Sequence, residues 1–236
     1  SLIFSVILFS FLMFHAVPSD PARLILGPNA STVQVSALQK ELGLDKPLHV
    51  QFADYVTDIF KLNFGRSFID NRPVWLEVSG KFRVSLFLVI VSMIITVIYS
   101  LFAIHMLYKA KDIRNFNFFL ISTPTFFSGL FIALMSIKFF PFSSFNGQFN
   151  SYKDFLFFIP PAFALATYPM GVLTNILVKE LKVSLASKYI LAAKAYGISG
   201  TSIYYKYALK NAIIPYFAAL SNQLPALFTG AFILEI

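Results

Sequence analysis

Residues 179–211, KELKVSLASKYILAAKAYGISGTSIYYKYALKN, decide how the rest of the chain is read. The stretch sets six lysines against Glu180 alone and lies between two long apolar segments. Its centre reads as two short helices with a glycine-rich joint. Ser187 is placed to cap a first helix over 188–196, and Gly197 to end it with φ > 0. Ser199 or Thr201 is placed to start a second helix running toward Leu209. The small side chains of Ala192, Ala193 and Ala195 make the first helix thin, so another protein can approach its backbone closely. The segment reads as a cytoplasmic plug that sits in a socket on a partner.

Two blander readings compete. Residues 193–203, AKAYGISGTSI, also have the small residues, turn glycine and following cap of a DNA-binding helix-turn-helix. Such a unit needs its own packed core, for which the flanking apolar segments leave no room. A plain solvated loop is the other reading, since basic cytoplasmic loops are ordinary in membrane proteins.

The apolar segments decide the class. Of the 236 residues, 57% are hydrophobic and 29 are phenylalanine, more apolar surface than a soluble domain of this length needs to bury. There is no cysteine, which removes disulfides and thiolate metal sites. The net charge of +8 is concentrated: Lys109, Lys111 and Arg114 join the six lysines of the plug, opposed there only by Asp112 and Glu180. Cations gathered in two short loops are the positive-inside pattern of an integral membrane protein rather than a nucleic-acid footprint.

Four runs, 84–107, 116–137, 155–178 and 212–234, each exceed the roughly 20 residues that cross a hydrocarbon layer. In lipid every backbone group must bond internally, so each run is expected to be a helix. Residues 109–115 and the plug then lie inside and 138–154 outside, which places the amino terminus in the cytoplasm and Glu235 near the outer surface. Residues 1–17 read as a truncated first membrane helix, with a signal-peptide core as the alternative. Residues 18–81 carry seven acids and seven bases, a neutral balance that suits an extracytoplasmic helical cap. Within it, Ser31 or Thr32 is placed to cap a helix that uses Val35, Leu38 and Leu42 and stops at Gly43. Asp45 is placed to cap another carrying Phe52, Tyr55 and Ile59. Residues 65–67 and 71–73 read as turns. Residues 82–236 form the membrane domain, with 179–211 as its coupling loop.

Prolines 124, 160, 161, 169, 215 and 225 are expected to bend or break these helices. Polar residues lie among them. Thr123, Ser128, Tyr168, Asn175, Asn222 and Gln223 are the candidates for a wettable passage without fixed charge; taken singly, each also suits a helix-to-helix tie. No intramembrane carboxylate suggests a proton relay or an ion site. His15, His49 and His105 fall on different elements, so no metal site is expected. No phosphate-binding glycine loop is present, so any ATP and its magnesium must be held by another chain.

In order along the chain stand Pro18-Ser19-Asp20-Pro21-Ala22, Leu42-Gly43-Leu44-Asp45-Lys46-Pro47-Leu48, Gly65-Arg66-Ser67 and Ser122-Thr123-Pro124-Thr125-Phe126-Phe127. In the plug follow Tyr189, Ala192, Lys194, Ala195 and Gly197, then Ala208-Leu209-Lys210-Asn211-Ala212 and Pro215. With these motifs the chain resembles the membrane permease subunit of an oligopeptide or dipeptide ABC importer, the first of its two permease types. The plug is similar to that family's cytoplasmic "EAA" loop. There are departures: Ser19 stands where the family usually has Gly, Leu62-Asn63 where it favours Gly-Asp, Lys188 for a common acid and Tyr207 for a common His.

The resemblance implies an all-α polytopic protein with the type I importer permease fold. Six membrane helices are implied, five of them in this chain and a sixth expected after Glu235. The implied partners are a second homologous permease, two ATP-binding subunits that hold ATP and magnesium, an extracytoplasmic peptide-binding protein and membrane lipid, with no nucleic acid. The chain itself is expected not to be an enzyme. Tyr189, Ala192, Ala193, Lys194, Ala195 and Gly197 are the implied coupling residues, supported by Lys206 and Lys210. A same-family permease for nickel, glutathione or another small solute is the alternative, and a non-transport membrane scaffold a more distant one.

Overall fold

The computed structural model describes residues 2–16, 20–67, 72–111, 113–139 and 152–234. The motif residues Pro18 and Ser19, the turn residue Asn71, Asp112, most of the expected outer loop (140–151) and Glu235 lie outside them. The described residues form helices, with one isolated antiparallel bridge between Arg66 and Pro73. They divide into two compact units, Ser1–Lys81 and Phe82–Ile236.

The first unit contains α1 (Leu2–Ala16), α2 (Pro21–Leu26), α3 (Thr32–Glu41) and α4 (Leu48–Phe60). Phe11 of α1 is buried against α4, with its ring centroid 5.2 Å from that of Phe52 and 5.8 Å from that of Tyr55. Helix starts follow the capping chemistry. Asp20 accepts the Ala22 amide at 3.0 Å, with Pro21 in the first turn of α2. Ser31 and Gln34 form a reciprocal capping box on α3, and Gly43 beyond its end takes φ +69°. Asp45 does not cap α4, contrary to expectation. Pro47 occupies the cap position without a side-chain bond, so an oxygen two residues earlier is out of register. Lys46 instead pairs with Asp54 at 2.8 Å, and that bond raises the lysine pKa. Ser67 donates to the Arg72 carbonyl and Val74 to that of Gly65, which draws the two turn segments together.

The second unit is built around α8 (Tyr152–Leu185), which contacts α6 (Arg114–Ser122), α7 (Thr125–Phe139) and α11 (Leu209–Leu234). Alongside runs α5 (Val74–Tyr108), which enters this unit at Phe82 and whose 35 residues span about 50 Å at 1.5 Å each. Ser85, Ser92, Thr96 and Ser100, spaced seven, four and four, line one fully buried face of α5. Ser92 Oγ donates to the Ala162 carbonyl at 2.9 Å and Ser100 Oγ lies 3.0 Å from Thr174 Oγ1, so small hydroxyls tie α5 to α8. Gly171 lets α6 approach α8: a Cβ there would lie 2.6 Å from Ile121 Cγ1 and 2.9 Å from the Asn117 carbonyl.

One expectation about the membrane segments is corrected. Only Pro124 interrupts a helix; Thr123 before it is extended, as a residue preceding proline prefers, and separates α6 from α7. Prolines 160, 161 and 169 lie inside a continuous α8, and 215 and 225 inside a continuous α11, because each removes a single donor while the rest of its helix stays bonded and packed. Among the described residues, two helices are long and apolar enough to cross a membrane, Val74–Tyr108 and Phe158–Leu185. The run 116–137 is divided at Pro124. In α11, Lys210, Asn211 and the Ser221-Asn222-Gln223 triplet dilute the apolar character.

Candidate functional site

The basic stretch does not stand apart from the bundle as a freestanding plug. α8 carries seven residues past the expected end at 178, and α9 (Lys188–Ala195) follows after Ala186 and Ser187. Ser187 takes the extended cap conformation, but its hydroxyl donates to the Ser184 carbonyl at 2.5 Å instead of capping α9. Gly197 ends the helix at φ +74°, and Ile198 donates back to the Ala193 carbonyl at 3.2 Å. Ser199 then caps α10 (Gly200–Ser202), which passes through a π-helix (Ile203–Ala208) directly into α11.

Two residues anchor α9. Ile190 is fully buried and Ala193 nearly so, in a cluster with Leu177, Leu181, Ile203 and Leu209. Ala193, one of the implied coupling residues, turns inward: its methyl fills the joint between α9 and the bundle. Ala192, Lys194, Ala195 and Gly197 are exposed. Beside them Leu191 is 61% and Tyr196 86% exposed, so the outward face is apolar and bordered by Lys188 and Lys194. Leu191 and Tyr196 were not singled out from sequence; their i, i+4 relation to Ala195 and Ala192 was the available signal.

A hydrogen-bond circuit closes the joint. Asn211 Nδ2 donates to the Tyr189 hydroxyl at 2.8 Å, and that hydroxyl is paired with Ser184 Oγ. Ser184 Oγ also donates to the Ala208 carbonyl at 3.0 Å. Burial pushes the Tyr189 phenol up, but bonds with Ser184, Asn211 and Ser187 outweigh it and leave its pKa below the ordinary tyrosine value. On the other side the π-helix grips the end of α5. The Tyr205 hydroxyl lies 2.8 Å from His105 Nδ1, Tyr204 donates to the Ile104 carbonyl at 2.8 Å, and the Tyr108 hydroxyl meets Thr201 Oγ1 at 2.8 Å. Burial and the neighbouring Tyr205 raise the Tyr204 phenol to about 12. Lys206 and Lys210 are exposed.

The candidate passage residues are found in separate hydrogen-bonding surroundings. Ser128 lies 3.0 Å from Thr167 Oγ1, buried between α7 and α8. Asn175 accepts from Asn117 Nδ2 at 3.2 Å, and Thr123 donates to the Phe119 carbonyl of its own helix at 2.8 Å. Tyr168 and Asn222 are exposed and Gln223 is half-buried. Among the described bonds, none of the six pairs with another. The larger polar network escaped the sequence reading: Tyr99 donates to Asn117 Oδ1 at 2.6 Å, and Tyr216 to Ser100 Oγ at 3.2 Å. Its signal was the period of the buried α5 hydroxyls.

Comparison with known proteins adds the following. Residues 1–89 match the family described as the N-terminal part of binding-protein-dependent transport system membrane components. Residues 110–236 match the binding-protein-dependent transport system inner membrane component. The glutathione transport system permease protein GsiC of Salmonella typhimurium is 30% identical over 228 residues, which cover 95% of this chain and 74% of that protein. The protein of the same name from Escherichia coli (strain K12) is 29% identical over 240 residues, covering 99% and 77%.

Proposed function

The chain belongs to the binding-protein-dependent transport system inner membrane components, and on that premise we propose that it forms half of a peptide-translocating pathway driven by ATP. Membership makes it a multi-pass inner-membrane permease and not an enzyme, and it implies a binding protein and ATPase partners. The finer reading is that a second homologous permease completes the pathway. Two ATP-binding subunits, holding ATP and magnesium, each receive one coupling segment, and an extracytoplasmic binding protein delivers substrate. Five crossings are read: α1, α5, α6 with α7, α8 and α11, with the amino terminus in the cytoplasm. Residues 18–81 form the extracytoplasmic cap.

The observation that supports coupling most is the two-sided build of α9. Ile190 and Ala193 anchor it, while Leu191, Ala192, Ala195 and Tyr196 offer an apolar face ringed by lysines. An amphipathic helix that lays such a face into a partner's groove transmits motion only if it is fixed to its own bundle. The circuit through Tyr189 and the tyrosine grip on α5 provide that fixing. ATP drives transport if the ATPases favour different arrangements of the two bundles before and after hydrolysis. Thr123, Ser128, Tyr168, Asn175, Asn222 and Gln223 are retained as passage residues, and Lys194, Gly197, Lys206 and Lys210 as parts of the coupling segment.

Oligopeptides or dipeptides are the proposed substrates. The names of the relatives favour one small peptide, glutathione, as a second reading. Reconstitution with the co-purifying permease, ATPases and binding protein tests both. ATP-dependent uptake of a labelled peptide that requires the binding protein is expected. Uptake of glutathione and no other peptide selects the second reading, and ATP-independent association without uptake refutes transport.

A further inference from the structure

Helix α4 ends in a turn that displays apolar groups instead of hiding them. The Leu62 amide donates to the Ile59 carbonyl at 3.0 Å and the Asn63 amide to that of Asp58 at 2.9 Å, the paired bonds of a Schellman turn. Such a turn needs a left-handed residue, ordinarily glycine, yet here Leu62 holds φ +56°. The Asn63 side chain donates to Asp58 Oδ1 at 3.3 Å and accepts the Gly65 amide at 3.3 Å, so these polar side chains are spent within the turn. The apolar ones face out: Phe60 is 79% and Leu62 66% exposed. Phe64 stacks on Trp75 in the first turn of α5, with ring centroids 5.6 Å apart and planes 11° from parallel. The Val74 amide donates to the Gly65 carbonyl at 3.1 Å, which fixes the turn to α5. Phe64, Trp75, Leu76 and Val78 are exposed as well.

We infer that Phe60, Leu62, Phe64 and Trp75 form a foot of the cap, set into the headgroup and upper acyl layer of the outer lipid leaflet. α5 continues from Trp75 into the apolar run that begins at Val84, so the patch is continuous with a helix able to cross the membrane. The 35 residues of α5 rise about 50 Å, against about 40–45 Å for a bilayer with its headgroups. At an ordinary tilt the first turn of α5 therefore falls in a headgroup layer, where tryptophan and tyrosine rings are enriched. α4 itself is packed on the apolar helix α1, with the Phe52 ring centroid 6.2 Å from that of Phe4 and 5.2 Å from that of Phe11. An amphipathic helix beside such a segment suits the interface plane better than open water. Leucine in a glycine position also gains a reason, because glycine there would offer lipid no side chain. The choice of leaflet rests on the reading above that residues 18–81 are extracytoplasmic, and the immersion rests on α5 crossing the bilayer.

Trp75 is the chain's single tryptophan, so its fluorescence reports the foot. The transporter is reconstituted in phosphatidylcholine vesicles whose acyl chains carry bromine near the glycerol or near the chain end. The W75F transporter is measured in parallel and subtracted, which removes the signal of the partner chains. Bromine near the glycerol is expected to quench Trp75 about twofold more than bromine near the chain end, as an interfacial ring requires. L62W/W75F moves the reporter to the turn and should show the same order. K40W/W75F, at an exposed position of α3, should respond to aqueous iodide and to neither lipid. Strong iodide quenching of Trp75 and of L62W/W75F, with none by lipid bromine, puts the foot in water and overturns it. Protection from both quenchers overturns it in favour of a protein partner on the patch. Lipid quenching of K40W/W75F as strong as that of L62W/W75F refutes a local foot. The signal needs no uptake, so failed transport strikes the transport reading alone. Ser36→Cys labelled by an impermeant maleimide only from the cytoplasmic side overturns the outer-leaflet assignment together with the orientation it rests on.

Discussion

The amide of Asn211 donates to the hydroxyl of Tyr189 at 2.8 Å, across 22 residues of chain, and so joins the start of α9 to the start of α11. Tyr189 passes that link on to Ser184 at the end of α8. Tyr189→Phe removes both bonds while keeping the ring. A loss of about 1 kcal/mol in stability is expected, because Asn211 is exposed and regains water while Ser184 is buried and does not. Peptide uptake per ATP hydrolysed should fall more than ATP hydrolysis itself. An ultraviolet titration should also lose one tyrosine that ionises below the usual range, since the folded protein favours the Tyr189 phenolate.

Ala192 and Ala193 are neighbours with opposite surroundings. Ala192→Glu puts a charge on the exposed face of α9 and is expected to leave folding and insertion unchanged while uncoupling ATP hydrolysis from uptake. Ala193→Glu puts the charge into the cluster around Ile190 and Leu209 and should lower yield and melting temperature first. Matched thermal and uptake measurements on both variants separate the two roles. Normal uptake in Ala192→Glu would count against α9 as the coupling element.

Leu62 takes φ +56°, at the position where the permease family favours glycine. The left-handed conformation costs a branched residue about 1–2 kcal/mol. Leu62→Gly is therefore expected to stabilise the unit Ser1–Lys81 by about 0.5–1 kcal/mol, after the extra flexibility that glycine gives the unfolded chain. Resistance of the 60–66 turn to limited proteolysis is the measurement, and greater susceptibility would refute the strain argument.

Among the described glycines, Gly171 is the one where an added Cβ would meet its neighbours most closely. Gly171→Ala should destabilise the detergent-solubilised protein by about 1–3 kcal/mol, as overpacking does. Ile121→Ala in the same chain should recover part of that, because it removes the Cγ1 that the added Cβ meets. The Asn117 carbonyl, 2.9 Å from the added Cβ, is backbone and stays in place. Full recovery would mean the carbonyl contact is unimportant.

Asn117 satisfies two partners at once, Tyr99 and Asn175. Asn117→Leu strands both, and a loss of about 0.6–2 kcal/mol is expected, the range found for polar ties between membrane helices. The double variant Asn117→Leu, Asn175→Leu should lose less than the two single losses combined, since the second change removes a group already without its partner.

The sequence carried the helices well where local chemistry sets them. The Ser31 box, the Gly43 and Gly197 stops and the pre-proline break at Thr123 all depend on neighbours within four residues. It misled where a distant contact wins. Asp45 had the right chemistry for a cap but the wrong register, and at five of the prolines expected to bend or break a helix no break occurs, because the rest of each helix stays bonded and packed. The orientation of α9 was legible only as a thin helix; which alanine turns inward depends on Leu177, Leu181 and Ile203, from elements on either side. The polar tie through Ser92 and Ser100 was present as a period, but hydroxyls within an apolar run draw less attention than amides near prolines.

The π-helix Ile203–Ala208 winds one surplus residue into a rod that is otherwise α-helical. That slack lets Ile203 and Ala208, five positions apart, share the inner side, where regular winding would set them about 140° apart. Excising a single residue from this turn would let it relax to ordinary winding and leave the rod beyond it in phase. The same excision between Leu209 and Ala212 would rotate everything downstream by about 100° and turn the inner seam of Ala212, Tyr216 and Leu220 outward. A one-codon deletion scan from Ile203 to Leu220 should therefore show tolerance at the exposed Lys206 and Tyr207, which spares the tyrosine grip on α5, and loss beyond Ala208.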